Sequence, residues 1–286
     1  MTDLKYRSYQ FNNQVNRNLN SFKTYVGMSL NYQYTYLKPK ADADLTEYPF
    51  KSYYFNNIEL GVHFSYNDLD KVFFANKGTF FQAKISRSLL HDVELNFTDV
   101  TIPKISGATN GFTKLGLTFE KRIPLQRKLT GIIGATTNFI FEDSLKSDEV
   151  SFSRHGYGAK YFLGGTSISP TSNRTVFPGL NEDELTVTQL MKMNVGLQTN
   201  LTGKIYLTPH IDIASVGFKT FNDYMDDAFS PKGKWQERTE TSFLFSGGAN
   251  ISYLSLLGPI TFDASWINDM DETNLYFSIG FLFNPS

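Results

Sequence analysis

Apolar and polar residues alternate along most of the chain in segments of about ten residues, the period of an extended strand with two unlike faces. The last segment is the clearest: Leu275, Phe277, Ile279, Phe281 and Phe283 point one way, Tyr276, Ser278 and Gly280 the other. Before it, Ile260, Phe262, Ala264 and Trp266 alternate with Thr261, Asp263 and Ser265, and Phe243, Phe245, Ala249, Ile251 and Tyr253 with Ser242, Ser246, Gly248, Asn250 and Ser252. Ile205, Leu207, Ile211 and Ile213 oppose Tyr206, Thr208, His210 and Asp212, and Met191, Met193, Val195 and Leu197 oppose Lys192, Asn194, Gly196 and Gln198. The same alternation runs through residues 129–141, 114–120, 81–86, 57–66 and 26–36. Ten clear strands result, with a weak eleventh near residues 4–12 and a poorly defined start over residues 1–23.

Period two with one polar face also describes a soluble antiparallel sandwich. Three features favour a membrane barrel instead. Many segments reach ten or more residues, against about five or six for globular strands. Aromatic residues gather toward segment ends, as at Tyr32, Tyr34, Tyr36, Tyr66, Phe139, Phe141, Tyr253 and Trp266, where interfacial girdles sit. Connections alternate between short (67–77, 122–127, 200–203, 254–258) and long (38–52, 88–111, 143–186, 218–240, 267–273), the rhythm of periplasmic turns and outer loops. The expected fold is therefore all-β, a transmembrane antiparallel β-barrel of about 10–12 strands occupying residues 1–286. A closed barrel leaves no sheet edge to lipid, where an unpaired backbone group costs several kcal/mol. The polar faces then line a lumen, and Lys84, Lys114, Glu120, Lys192, His210 and Asp212 are the expected lumen-lining residues.

Composition changes this picture little. Aromatic residues make up 15% of the chain, with 26 Phe and 16 Tyr, more than a soluble core requires. The net charge of -1 argues against a nucleic-acid partner. No apolar run is long enough for a spanning helix. The first residues, Met1-Thr2-Asp3-Leu4-Lys5-Tyr6, do not read as a signal peptide. A barrel must be exported, so the chain is expected to be a mature form or, more readily, the C-terminal piece of a longer polypeptide. The expected location is the outer membrane of a Gram-negative bacterium, with outer-membrane lipids, lipopolysaccharide and the outer-membrane barrel assembly machinery as partners.

Four motifs bear a family resemblance. Phe73-Phe74-Ala75-Asn76-Lys77-Gly78-Thr79-Phe80 resembles a strand-opening motif of the BamA-like outer-membrane superfamily (the bacterial surface antigen domain), with Ala75 where Pro is common. Tyr161-Phe162-Leu163-Gly164-Gly165 resembles the Phe-x-Gly-Gly that opens its sixth extracellular loop. Leu257-Gly258-Pro259-Ile260-Thr261-Phe262-Asp263 is similar to its penultimate strand, and the last strand closes on Phe281 and Phe283. Assembly and secretion members carry Val-Arg-Gly at the loop tip, whereas this chain reads Thr175-Val176-Phe177-Pro178-Gly179-Leu180, with Arg174 out of register. That variant is most similar to the C-terminal barrel of patatin-like phospholipases of Bacteroidetes-type bacteria. The resemblance implies that this chain is the last eleven or so of about 16 strands. It also implies that the barrel anchors or translocates an N-terminal passenger or periplasmic partner. In the superfamily the sixth loop enters the lumen. The same is expected of the long loop 143–186, with Phe162, Gly164, Gly165, Phe177, Pro178 and Gly179 as its motif; an ordinary surface loop is the competing account.

Catalytic and metal chemistry is not expected in this chain. A patatin hydrolase needs Gly-x-Ser-x-Gly, and the nearest string, Gly165-Thr166-Ser167-Ile168-Ser169, lacks its closing Gly. By parity His63 and His210 face the lumen, while His91 and His155 are expected in loops, so no lipid-facing Ser–His pair forms. The histidines have no metal-ligand spacing, there is no cysteine, and Glu182-Asp183-Glu184 and Asp226-Asp227 read as solvated loop charge rather than a Ca²⁺ site. No cofactor is expected. A stand-alone porin-like channel for small polar solutes is the alternative function, and a membrane-embedded lipase a third.

Overall fold

A computed structural model describes residues 4–19, 22–39, 50–149, 160–165 and 173–280. One antiparallel meander runs through β1 (Leu4–Asn18), β2 (Thr24–Pro39), β3 (Phe50–Asn67), β4 (Gly78–Phe97), β6 (Phe112–Gln126), β7 (Leu129–Glu142), β11 (Gln189–Asn200), β12 (Ile205–Gly217), β13 (Ser242–Ser255), β14 (Gly258–Ile267) and β15 (Thr273–Ile279). A short β5 (Ile105–Ala108) pairs with the end of β4. Within the long β7–β11 connection, β8 (Tyr161–Gly164), β9 (Arg174–Val176) and β10 (Leu185–Val187) form a separate three-stranded sheet. The one described helix, α1 (Phe221–Asp227), lies in the β12–β13 connection, with Thr220 as its N-cap.

The two faces of the main sheet decide the environment. Met28, Val195 and Ile211 are 55%, 56% and 52% exposed, whereas Ser65 and Ser246 on the opposite face are fully buried. Water would reward the reverse arrangement, because apolar area costs free energy there. An apolar outside and a polar inside suit a lipid solvent, so the sheet is the wall of a transmembrane β-barrel. No described helix is long and apolar enough to cross a membrane.

The parity expected from sequence holds on β2, β3, β6, β7 and β11–β15, and from β4 onward the connections alternate in length as expected. Two strands differ. The weak eleventh is β1, a full strand in register with β2 from Leu4 to Asn18. Its outward face mixes Tyr9, Phe11 and Val15 with Asn13 and Arg17, which blurs the alternation. β4 continues to Phe97, well beyond the expected end of that strand. A bulge opposite Ile58 and Glu59 leaves Leu89 and Leu90 both exposed and switches the inward set from Ser86 and Ser88 to His91 and Val93. The parity break resembles the end of a strand. His91 therefore lies on β4, within hydrogen-bond distance of Thr109 at 2.7 Å, and not in a loop.

Candidate functional site

Inward side chains divide by depth. Those nearest the long-connection end are mostly apolar: Leu37, Phe55, Val93, Phe112, Ile140, Leu190, Val216, Leu244 and Ile267 are buried in one cluster. Further toward the short turns the inward set becomes polar, with Glu59, His63, Lys84, Lys114, Gln198, Thr208 and Asp212.

The long connection docks on the apolar end. Leu163, Phe177, Leu180, Leu185 and Val187 are fully buried and join the inward cluster. Gly179 adopts φ 94°, and a Cβ there would stand 2.7 Å from the Ile267 side chain, so close approach to β14 requires glycine. Wall side chains donate to the loop backbone: Lys192 Nζ to the Val176 carbonyl at 2.6 Å, Asn274 to Gly179 at 2.5 Å and Tyr276 to Leu180 at 2.7 Å. Asn138 donates to the Thr175 hydroxyl at 3.0 Å, and the Lys192 ammonium lies over the Phe177 ring at 5.5 Å. These bonds give the loop backbone the partners that burial would otherwise deny it. Arg174 stays within the connection: its guanidinium, almost wholly buried, pairs with Asp183 and Glu182. Glu182 and Asp183 themselves remain largely exposed, as solvated loop charge that also pairs with this guanidinium.

Two polar clusters lie beneath. Lys114 meets Glu59 at 2.7 Å with both side chains under a tenth exposed, and Asn57 and Ser86 complete the carboxylate's bonds at 2.7 and 3.1 Å. Lys84 lies beside this pair, across from His63. In the second cluster Lys192 pairs with Asp212 at 2.7 Å, and His210 stands between Asp212 and Asp263 at 2.9 and 3.1 Å. Glu120 binds Arg122 at 2.6 Å on the same wall. A cavity of about 300 Å³ is lined by this second cluster together with Val176 and Pro178. Among the described residues no three His, Cys, Asp or Glu are grouped to hold a metal ion.

The short-turn end carries a feature that sequence reasoning missed. Residues 68–77 fold inward across the mouth: Phe74, at φ 51°, stacks on Tyr206 of β12 at 4.1 Å and 9°. Gln198 donates to the carbonyls of Phe74 and Ala75, both at 3.4 Å. The Thr79 amide donates to Asp68 at 2.5 Å, which holds that carboxyl below the usual carboxylate range. The left-handed φ at a bulky residue was the local signal, but no sequence pattern encodes it.

The expected site residues are thus placed as follows. Lys84, Lys114, Glu120, Lys192, His210 and Asp212 all lie on the polar face, Lys114 and Asp212 buried and the others partly so. Gly164, Phe177 and Gly179 are buried in the docked connection, with Phe162, Gly165 and Pro178 half-buried beside them. His155, Ser167 and the terminal Phe281 and Phe283 lie outside the described residues.

Comparison with solved structures aligns 96% of this chain with 53% of BamA from Haemophilus ducreyi lacking POTRA domains 1-3, at a TM-score of 0.61 and 13% identity. This chain spans about half the length of that one. A weaker likeness, TM-score 0.41 and 10% identity, is to the beta domain of the Bordetella autotransporter Brka, covering 96% of this chain and 89% of that one. No curated protein matches. The Omp85 superfamily domain matches residues 2–283. With that match across nearly its whole length, an inverted barrel wall and the BamA-like course of its strands, the chain belongs to the Omp85 superfamily.

Proposed function

We propose that this outer-membrane barrel anchors, or helps across the membrane, a passenger or partner protein, and does not serve as an open solute pore. The observation that carries the reading is the apolar seal: Phe177, Leu180, Leu185 and Val187 of the long connection pack without exposure on the inward residues of the outer end. A diffusion pore needs a wetted path, and this end excludes water. The residues of the loop motif hold the seal in place, Gly179 by close approach and Phe177 by burial. The similarity of Phe177-Pro178-Gly179-Leu180 to the patatin-linked barrels supports a hydrolase as the passenger, in which case any esterase activity belongs to a domain other than this one.

The test combines two measurements on the native protein. Outer-membrane fractions blotted for the barrel, boiled and unboiled, should give a heat-modifiable band well above 32.5 kDa or a co-purifying partner. In planar bilayers the same protein should give small, flickering conductance. A band at 32.5 kDa with no partner and steady open channels would overturn the proposal in favour of a porin-like channel.

A further inference from the structure

The outward face of β1–β3 carries a depth gradient that ends in an unexplained cleft. Val15, Met28 and Val62 form one row across the three strands, and Phe11, Tyr32 and Ile58 the next but one. Tyr9 and Tyr34 follow, then Arg7, Tyr36 and Tyr54, with Lys38 beyond. On β3, Tyr66 and Tyr54 bracket the apolar rows, twelve residues apart. That is about 40 Å along the strand, or about 28 Å across the membrane at a 45° tilt, close to the ~25 Å apolar band of such barrels. Tyr54 and its neighbours therefore lie at head-group level on the long-loop side, the outer leaflet.

An ordinary aromatic girdle is a belt of separate rings. Here the rings converge. Tyr36 and Tyr54 lie 4.6 Å apart between centroids, Tyr34 and Tyr54 6.4 Å, and Tyr9 and Tyr34 6.0 Å. With Arg7 and Lys38 they line a cavity of about 450 Å³ open to the outside. Among the described residues neither cation has a carboxylate within ion-pair distance, and the outward Glu94, which faces Tyr54 on β4, pairs with Lys104 at 3.0 Å.

We infer that this cleft binds the phosphorylated sugar head group of an outer-leaflet glycolipid. Arg7 and Lys38 supply charge for a phosphate, the fork of Arg7 matching its oxygens in pairs. The tyrosine faces offer flat apolar surfaces on which the C–H edges of a sugar ring pack, and their hydroxyls bond to sugar hydroxyls. A bare phosphodiester lipid would use the cations and leave most of the four rings unused. The inference does not depend on whether the barrel carries a passenger.

The test uses the intact native protein in neutral detergent, incubated with lipopolysaccharide, with retained lipid counted by native mass spectrometry. The native chain should retain lipopolysaccharide. The R7Q/K38Q double variant should retain it about 30-fold more weakly, two phosphate-directed cations having been removed. The R17Q variant, changed on the same strand and face but at the opposite end, should bind as the native chain does. Dephosphorylated lipopolysaccharide should lose as much as the double variant. Equal retention by R7Q/K38Q, or an equal loss in R17Q, would overturn the site. Phosphatidylglycerol held as tightly as lipopolysaccharide would overturn the glycolipid assignment.

Discussion

The two ends of the barrel interior solve the same problem, filling a wide lumen, with opposite chemistry. At the outer end the wall offers Phe55, Phe112, Leu190 and Leu244, and the long connection answers with Phe177, Leu180 and Leu185. Beneath it the wall offers Glu59 and Lys114, and at the inner mouth Gln198, and these bind one another or the carbonyls of a short turn. An apolar plug gains free energy from every contact and needs no directional match. The polar end gains little from its ion pairs and would lose much if one partner went, because each buried charge depends on the other. The outer end is therefore built as a stopper and the inner end as a set of mutually dependent bonds.

Three substitutions would break or sharpen this contrast. The largest effect is expected for Phe177→Ala, about 3–5 kcal/mol from the cavity left in the plug. Its heat-modifiability midpoint should fall and its bilayer conductance rise; an unchanged conductance would mean that the plug does not seal. Next comes Lys114→Ala, expected to cost about 3 kcal/mol by stranding Glu59, while the paired change Glu59→Gln with Lys114→Met should recover most of that loss. Comparable losses in the single and paired variants would show that packing, not charge, governs the inner end. The smallest is Phe74→Ala, which removes one stacked pair worth about 1 kcal/mol. It should speed hydrogen exchange over residues 68–77 and leave the global midpoint nearly unmoved. A global shift would make that turn part of the barrel's core stability.

The contrast also explains what the sequence could tell. Lipid imposes strict alternation, so Leu275, Phe277 and Ile279 announce their strand and its facing without any structure. The same rule placed Lys114, Lys192 and Asp212 on the inward face. Alternation fails where a bulge doubles the outward residue at Leu89 and Leu90, and where Asn13 and Arg17 interrupt β1. The plug was legible only as a motif around Gly164-Gly165 and Pro178-Gly179. Which wall residues receive it is set by three-dimensional proximity, as with Asn274 and Gly179, far apart in the chain. The contact of Phe74 with Tyr206 leaves no pattern at all, because an aromatic residue in a turn is as common as one that stacks.

The meander itself carries an arithmetic consequence. Eleven strands follow one another from β1 to β15, each antiparallel to the next, so the first and last point the same way. Neither has a second strand partner among the described residues. Joining them directly would create a parallel seam in an otherwise antiparallel wall. An all-antiparallel cylinder needs an odd number of additional strands between those two edges, from whatever polypeptide they come. One would make a cylinder of about 12 strands and five would make the roughly 16 that the family resemblance implies, whereas two or four would restore the parallel seam.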